Sequence, residues 1–124
     1  MISLTKDKEL KGYKSLTVYP EVAHFVTTRH GGVSEGTYGS FNCSPYTKDS
    51  CINVNCNQNK LFQITGHPIK ELVIPEQKHG SASLVVDESF FKESLEVRRT
   101  LLRGIDALTV SYTHLRAHET KANL

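Results

Sequence analysis

Two stretches of this chain hold residue types that could do chemistry. The first, TTRHGGVSEGTYGSFN at positions 27–42, sets Arg29 and His30 among four glycines within sixteen residues. An arginine guanidinium makes strong bidentate contacts with phosphate or substrate oxygens. Glycines beside it let backbone amides approach an anion. The second is His79, in the turn QKHGS at 77–81. A neutral imidazole there is a good zinc ligand. Each has a plainer reading: Arg29 as a surface arginine after a strand, His79 as a solvent-facing or hydrogen-bonded loop residue.

Other candidates carry less. His114 and His118 stand at i, i+4, which on a helix would resemble a zinc-protease pair, but Leu115 occupies the place of the required glutamate and Glu119 follows the second histidine. His24 alternates with Phe25 on a strand, and His67 precedes Pro68 in a turn, so both read as structural. Cys43, Cys51 and Cys56 have no C-x-x-C spacing and read as free thiols. Glu88 and Glu93 define no acid–base geometry, and the glycines match neither a phosphate-binding P-loop nor a dinucleotide fingerprint.

These residues need a scaffold, and 124 residues suffice for one domain with a modest core, given 38% apolar residues and no Trp. The net charge of +2 is spread along the chain, which argues against a nucleic-acid or membrane surface. The charged N-terminus does not read as a signal peptide, no apolar run is long enough to span a membrane, and a cytoplasmic location is expected. Residues 22–28 read as a strand and lead into the glycine-rich loop, which is long for a compact domain unless functional. Asp49-Ser50 reads as a cap for a helix, with Ile52, Cys56, Leu61, Phe62 and Ile64 as its apolar face and Gly66 as its terminator. Strands are expected at 71–74, 83–86 and 105–110, with one helix or two shorter ones over 88–103. Mixed strands and helices predict an α+β or α/β domain.

Taken in order, TTRHGGVSEGTYGSFN at 27–42, IPEQKHGSASLVVD at 74–87 and GIDALTV at 104–110 resemble one family. It is the laccase-domain (YfiH-like) family, also called multicopper polyphenol oxidoreductase. The family pattern runs TTR-x-GGVS-x-G-x-Y-x-S-x-N, then Q-x-HG, then DAL. The resemblance implies an α+β fold of mixed layers around a metal pocket, in proteins about twice this length. It further implies zinc held by the His of Q-x-HG, a Cys from an ADC motif and a His from an HAGWRG motif. His79 matches the first ligand, and neither of the other motifs occurs here. Residues 1–110 are therefore expected to be the N-terminal part of a single laccase-like domain. Residues 111–124, SYTHLRAHETKANL, do not continue the pattern and are expected to be a non-native tail, which would make the His114/His118 pair accidental. Two smaller departures are Asn57-Gln58, where the family often has Asn-Arg, and Lys48-Asp49, where it has Gly-Asp.

The resemblance implies a zinc-dependent purine nucleoside phosphorylase. Adenosine, inosine or a methylthioadenosine would be cleaved by phosphate to base and sugar phosphate, and adenosine deamination is a further family activity. Arg29 is then the expected catalytic and substrate-binding residue, with Ser40 and Asn42 holding the loop or touching substrate. His79 is the expected metal ligand, and Asp106 of GIDAL fixes a strand end. Purine nucleoside and phosphate are the expected partners. The older label, a polyphenol oxidase with copper, would need a dense set of histidine ligands that the sequence does not supply. A fragment or binding module without turnover is the competing reading.

Overall fold

The computed structural model of the chain describes residues 1–67 and 72–110. The expected foreign tail at 111–124, its two histidines, and Glu71 of the strand expected at 71–74 lie outside the described residues. Two compact units make up the chain, Met1–Leu72 and Val73–Leu124. Helices and small sheets mix within them, so the fold is α+β, compatible with an N-terminal part of a laccase-like fold. Among the described residues, no helix is long and apolar enough to cross a membrane.

The first unit contains a three-stranded antiparallel sheet of β1 (Ile2–Ser3), β2 (Leu10–Gly12) and β3 (Val26–Thr27), with β2 in the middle. Leu10 and Gly12 face inward while Lys11 faces out, the period-2 alternation of a half-buried strand. The strand expected over 22–28 is shorter than the sequence suggests. Leu10 pairs with Thr27 and Lys11 with Val26, but the Tyr13 N–H donates to the His24 ring at 2.9 Å. A side chain thus takes the donor that would extend the ladder. The one-turn helix α1 (Lys14–Thr17) follows β2.

The long helix α2 (Cys51–Thr65) begins after Ser50 and ends at Gly66, whose φ of 79° and N–H bond to the Phe62 carbonyl form the expected left-handed cap. Ser50 holds the N-cap position without a side-chain capping bond; Asp49 instead accepts from the Ser50 N–H at 2.8 Å. Of the expected apolar face, Leu61 and Ile64 do meet the core, but the rest does not. Ile52, Cys56 and Phe62 are exposed, while Val54, Asn57 and Leu61 are buried at i, i+3 and i+7. Leu61 packs with Leu10 and Phe41 to form this unit's core, flanked by Cys43 and Ile64. Burial of each such side chain stabilises by about 1.5–3 kcal/mol.

The second unit is a β–α–α–β arrangement. Strands β4 (Ser83–Val86) and β5 (Ala107–Val110) pair in parallel from Ser83↔Ala107 to Val86↔Val110. Parallel neighbours need a crossover, which α3 (Glu88–Lys92) and α4 (Leu95–Leu102) supply. The region is two helices because each starts on its own cap. Asp87 accepts from the Phe90 N–H at 3.1 Å and Ser94 from the Val97 N–H at 3.3 Å. Val86, Phe90 and Leu102 form the core, with Val73, Leu84, Phe91 and Leu108 against them. No strand forms over 72–75; Glu76 makes a parallel bridge to Arg103.

Candidate functional site

Position 29 is where the glycine-rich loop closes on itself. The Arg29 carbonyl accepts from both the backbone N–H and the hydroxyl of Ser40, each at 2.7 Å. The Ser40 hydroxyl in turn accepts from the Gly32 N–H at 3.1 Å, and the Ser40 carbonyl from the Ser34 N–H at 2.9 Å. This approach explains Gly32: a Cβ there would lie 2.1 Å from the Ser40 carbonyl oxygen and 2.5 Å from Phe41 Cα. Only glycine fits. At the loop's entrance, the Thr28 N–H donates to the Glu9 carbonyl at 2.9 Å, tying the loop to the sheet.

Asn57 on α2 anchors the loop from beneath. Its side chain is 1% exposed, accepts from the Val33 N–H at 2.9 Å, and donates to Ser34 Oγ at 2.9 Å and to the Asn42 carbonyl at 2.7 Å. Ser34 Oγ donates to Asp49 at 2.5 Å, and the Asn42 side chain donates to Asp49 at 3.2 Å and to Thr47 at 2.9 Å. The Ser34 hydrogen bond, with those from Asn42, Ser50 and Asn53, holds the Asp49 carboxyl below its ordinary range despite desolvation. Next along the helix, Gln58 donates to the Cys43 carbonyl at 2.9 Å. Lys60 donates to the Gly31 carbonyl and pairs with Glu9 at 3.6 Å.

Against this frame the expected site residues separate. The side chains of Ser40 and Asn42 are engaged in holding the loop. Arg29 is exposed, and its guanidinium has neither a hydrogen bond nor an ion pair among the described residues. The loop is therefore rigid through its backbone and offers one uncommitted cation at its mouth. Sequence reasoning missed Asn57, Asp49 and Ser34. The available signal was an asparagine at the centre of a helix, where its propensity is poor unless its side chain finds partners.

His79 belongs to the second unit. It is exposed, has φ of 62°, and its ring makes no hydrogen bond among the described residues. The N–H groups of Lys78, His79 and Gly80 all converge on Asp106, at 2.9 and 2.8 Å to Oδ1 and 2.6 Å to Oδ2. Desolvation raises the Asp106 carboxyl, but the three amide bonds and the nearby His79 ring outweigh it and hold the group below its ordinary value. Asp106 thus does more than fix the start of β5.

His79 suits a metal as a single imidazole donor with an open ring. Among the described residues, no three His, Cys, Asp or Glu side chains are grouped to hold an ion. Cys43 is half-buried, with its thiol pushed up to about 11 by burial, which disfavours the thiolate a metal needs. Cys51 and Cys56 are exposed and free.

Residues 23–119 match the family described as multi-copper polyphenol oxidoreductase laccase. That span includes Arg29, His79 and Asp106, and it runs past Val110 into the terminal segment. The chain is similar to a purine nucleoside phosphorylase of Bacteroides thetaiotaomicron, 46% identical over 108 residues, covering 87% of this chain and 40% of that protein. It is also similar to a purine nucleoside phosphorylase of Staphylococcus epidermidis, 30% identical over 89 residues, covering 72% of this chain and 34% of that protein. A third relative, adenosine deaminase RL5 from an unknown prokaryotic organism, is 30% identical over 87 residues, covering 70% of this chain and 33% of that protein. The chain thus spans well under half the length of these relatives.

Proposed function

This chain belongs to the multi-copper polyphenol oxidoreductase laccase family, and from that premise we propose that it is the N-terminal part of a purine nucleoside phosphorylase. The observation that carries the reading is the 46% identity to the Bacteroides thetaiotaomicron phosphorylase over 87% of the chain. The proposed substrates are orthophosphate and adenosine, inosine or a methylthioadenosine. Phosphate attacks the anomeric carbon as the bond from that carbon to the purine nitrogen breaks, giving free base and sugar phosphate.

Arg29 is proposed to bind the phosphate. Its guanidinium is exposed and has no partner among the described residues, and it stands on backbone fixed by two bonds from Ser40. A planar fork on such backbone makes paired hydrogen bonds to two of the four phosphate oxygens and leaves another free for attack. Its charge also offsets the anion's own cost of approach. Ser40 and Asn42 are proposed to act mainly by keeping the loop closed, which leaves the Arg29 backbone no freedom to turn away. His79 is proposed to hold zinc together with ligands from the remainder of the family's length. When bound, that metal supplies a Lewis-acid centre with an open position. A cytoplasmic location suits these substrates.

A second reading, removal of the adenosine amino group by water, is favoured by the similarity to adenosine deaminase RL5. One experiment addresses both. The chain is built into the matching segment of the Bacteroides thetaiotaomicron relative, and the chimera is supplied with adenosine or inosine, with and without phosphate. Phosphorolysis requires phosphate and yields free base; deamination proceeds without phosphate and yields inosine from adenosine. A chimera that folds, binds zinc and does neither leaves the chain as a binding module.

A further inference from the structure

The turn that carries His79 is built around a carboxylate. Three successive amides, from Lys78, His79 and Gly80, point at one side chain, that of Asp106, 26 to 28 residues further on. Consecutive backbone N–H groups around a left-handed residue form a concave anion-binding nest. Here the anion is part of the chain itself. His79 has φ of 62°, uncommon for residues other than glycine although histidine tolerates it better than most. Glycine would adopt it freely, and the very next residue is one. The imidazole therefore stands on a backbone conformation that the rest of the turn must hold in place.

We propose that Asp106 is the positioning residue for His79: its carboxylate fills the nest and fixes the left-handed backbone on which the imidazole stands. The inference rests on reading His79 as a metal ligand. Asp106 is itself fixed by the sheet. Its N–H donates to the Ala82 carbonyl at 3.0 Å, and the following residue, Ala107, opens the parallel pairing with Ser83. The clamp thus transmits the rigidity of β4 and β5 to a turn that has no ladder of its own. Gly80 makes the close approach possible, since a Cβ there would sit 3.2 Å from the carboxylate and 3.3 Å from the Lys78 side chain. A ligand held this way presents its ring from fixed backbone, without the entropy of an unrestrained loop.

The test follows amide exchange by NMR in the whole 124-residue chain, isotopically labelled, and zinc binding at the His79 ring, with zinc alone as the probe, in the chimera that supplies the remaining ligands. In Asp106→Ala, exchange at the Lys78, His79 and Gly80 amides should accelerate about tenfold or more, the loss expected for a charge-assisted bond. Amides of β4 should keep their protection. Asp106→Asn should fall between, because its carboxamide oxygen accepts only for Lys78 and His79. In the chimera, the apparent zinc affinity read at the His79 ring should drop about tenfold or more in Asp106→Ala. His79→Gly, which keeps the turn and removes the ring, defines the signal. If exchange is unchanged, the clamp does not exist. If exchange accelerates while zinc affinity at His79 holds, Asp106 caps a turn and positions nothing. Should Asp106→Ala lose the β4–β5 pairing, the same two readouts in Asp106→Asn decide. A wild-type chimera whose His79 ring ignores zinc refutes the ligand reading, and the positioning role with it, without bearing on the exchange result. Turnover enters none of these readouts, so failure of phosphorolysis in the chimera is a separate outcome.

Discussion

Replacing Asn57 with alanine should release the glycine-rich loop. The side chain is 1% exposed and makes three hydrogen bonds, to the Val33 N–H, Ser34 Oγ and the Asn42 carbonyl. A net contribution of about 0.5–1.5 kcal/mol per bond gives roughly 1.5–4.5 kcal/mol for the set. Water reaches part of the loop, since Val33 is exposed and Asn42 only half-buried. That rehydration lowers the expectation to about 2–3 kcal/mol. Amide exchange at Val33 and Ser34 reads this locally, where a loss of that size is roughly a 30- to 150-fold acceleration. The Leu10–Phe41–Leu61 core should lose less, because Asn57 is not among its members. Asn57→Asp should rescue poorly. It keeps the acceptor for Val33 but sets a carboxylate oxygen against the Asn42 carbonyl, where the amide donated. An acceleration below about threefold at Val33, under 1 kcal/mol, would refute the view that Asn57 organises the loop.

Three further outcomes follow from the same geometry. Gly32→Ala should lower the unfolding midpoint by the equivalent of about 1–3 kcal/mol, because the new Cβ meets backbone rather than a side chain that can move. Wild-type stability in urea melts would contradict the close approach. Asp49 is held below 3.8 by its hydrogen bond from Ser34, despite desolvation. Its contribution is therefore complete above that unfolded value and is lost as pH falls through the lower folded value, so Asp49→Asn should flatten the acid end of the stability–pH curve. Arg29→Ala should change stability by less than about 0.5 kcal/mol, because the exposed side chain has no partner to lose among the described residues. In the chimera it should raise the KM for phosphate about tenfold or more, and Arg29→Lys should recover only part, since an ammonium cannot offer the planar fork.

What the sequence revealed depended on how local the determining interaction was. Gly66 ends α2 because glycine alone takes φ of 79° cheaply, and such a signal is readable in place. The caps at Asp87 and Ser94 are equally local, although the apolar residues between them repeat too irregularly to separate the helices beforehand. The short β1 and β2 were not visible in a charged lead-in, because two or three residues carry no period. The buried face of α2 was misplaced in part because one of its three buried positions is Asn57, whose burial depends on loop groups 15 to 24 residues away. In the same way Asp106 was legible as a strand-end residue, but its grip on the His79 turn joins positions 26 to 28 apart. The site residues themselves stood out by motif. The groups that fix them did not, since their partners come together only in the fold.

The most direct measurement is phosphate-dependent release of hypoxanthine from inosine by the zinc-loaded chimera, compared with its His79→Ala variant. The proposed function predicts release that requires phosphate and is lost in the variant along with bound zinc. Release that persists in His79→Ala at full zinc content would remove the metal from His79. No phosphate-dependent release from a folded, zinc-loaded chimera would contradict the phosphorylase reading itself.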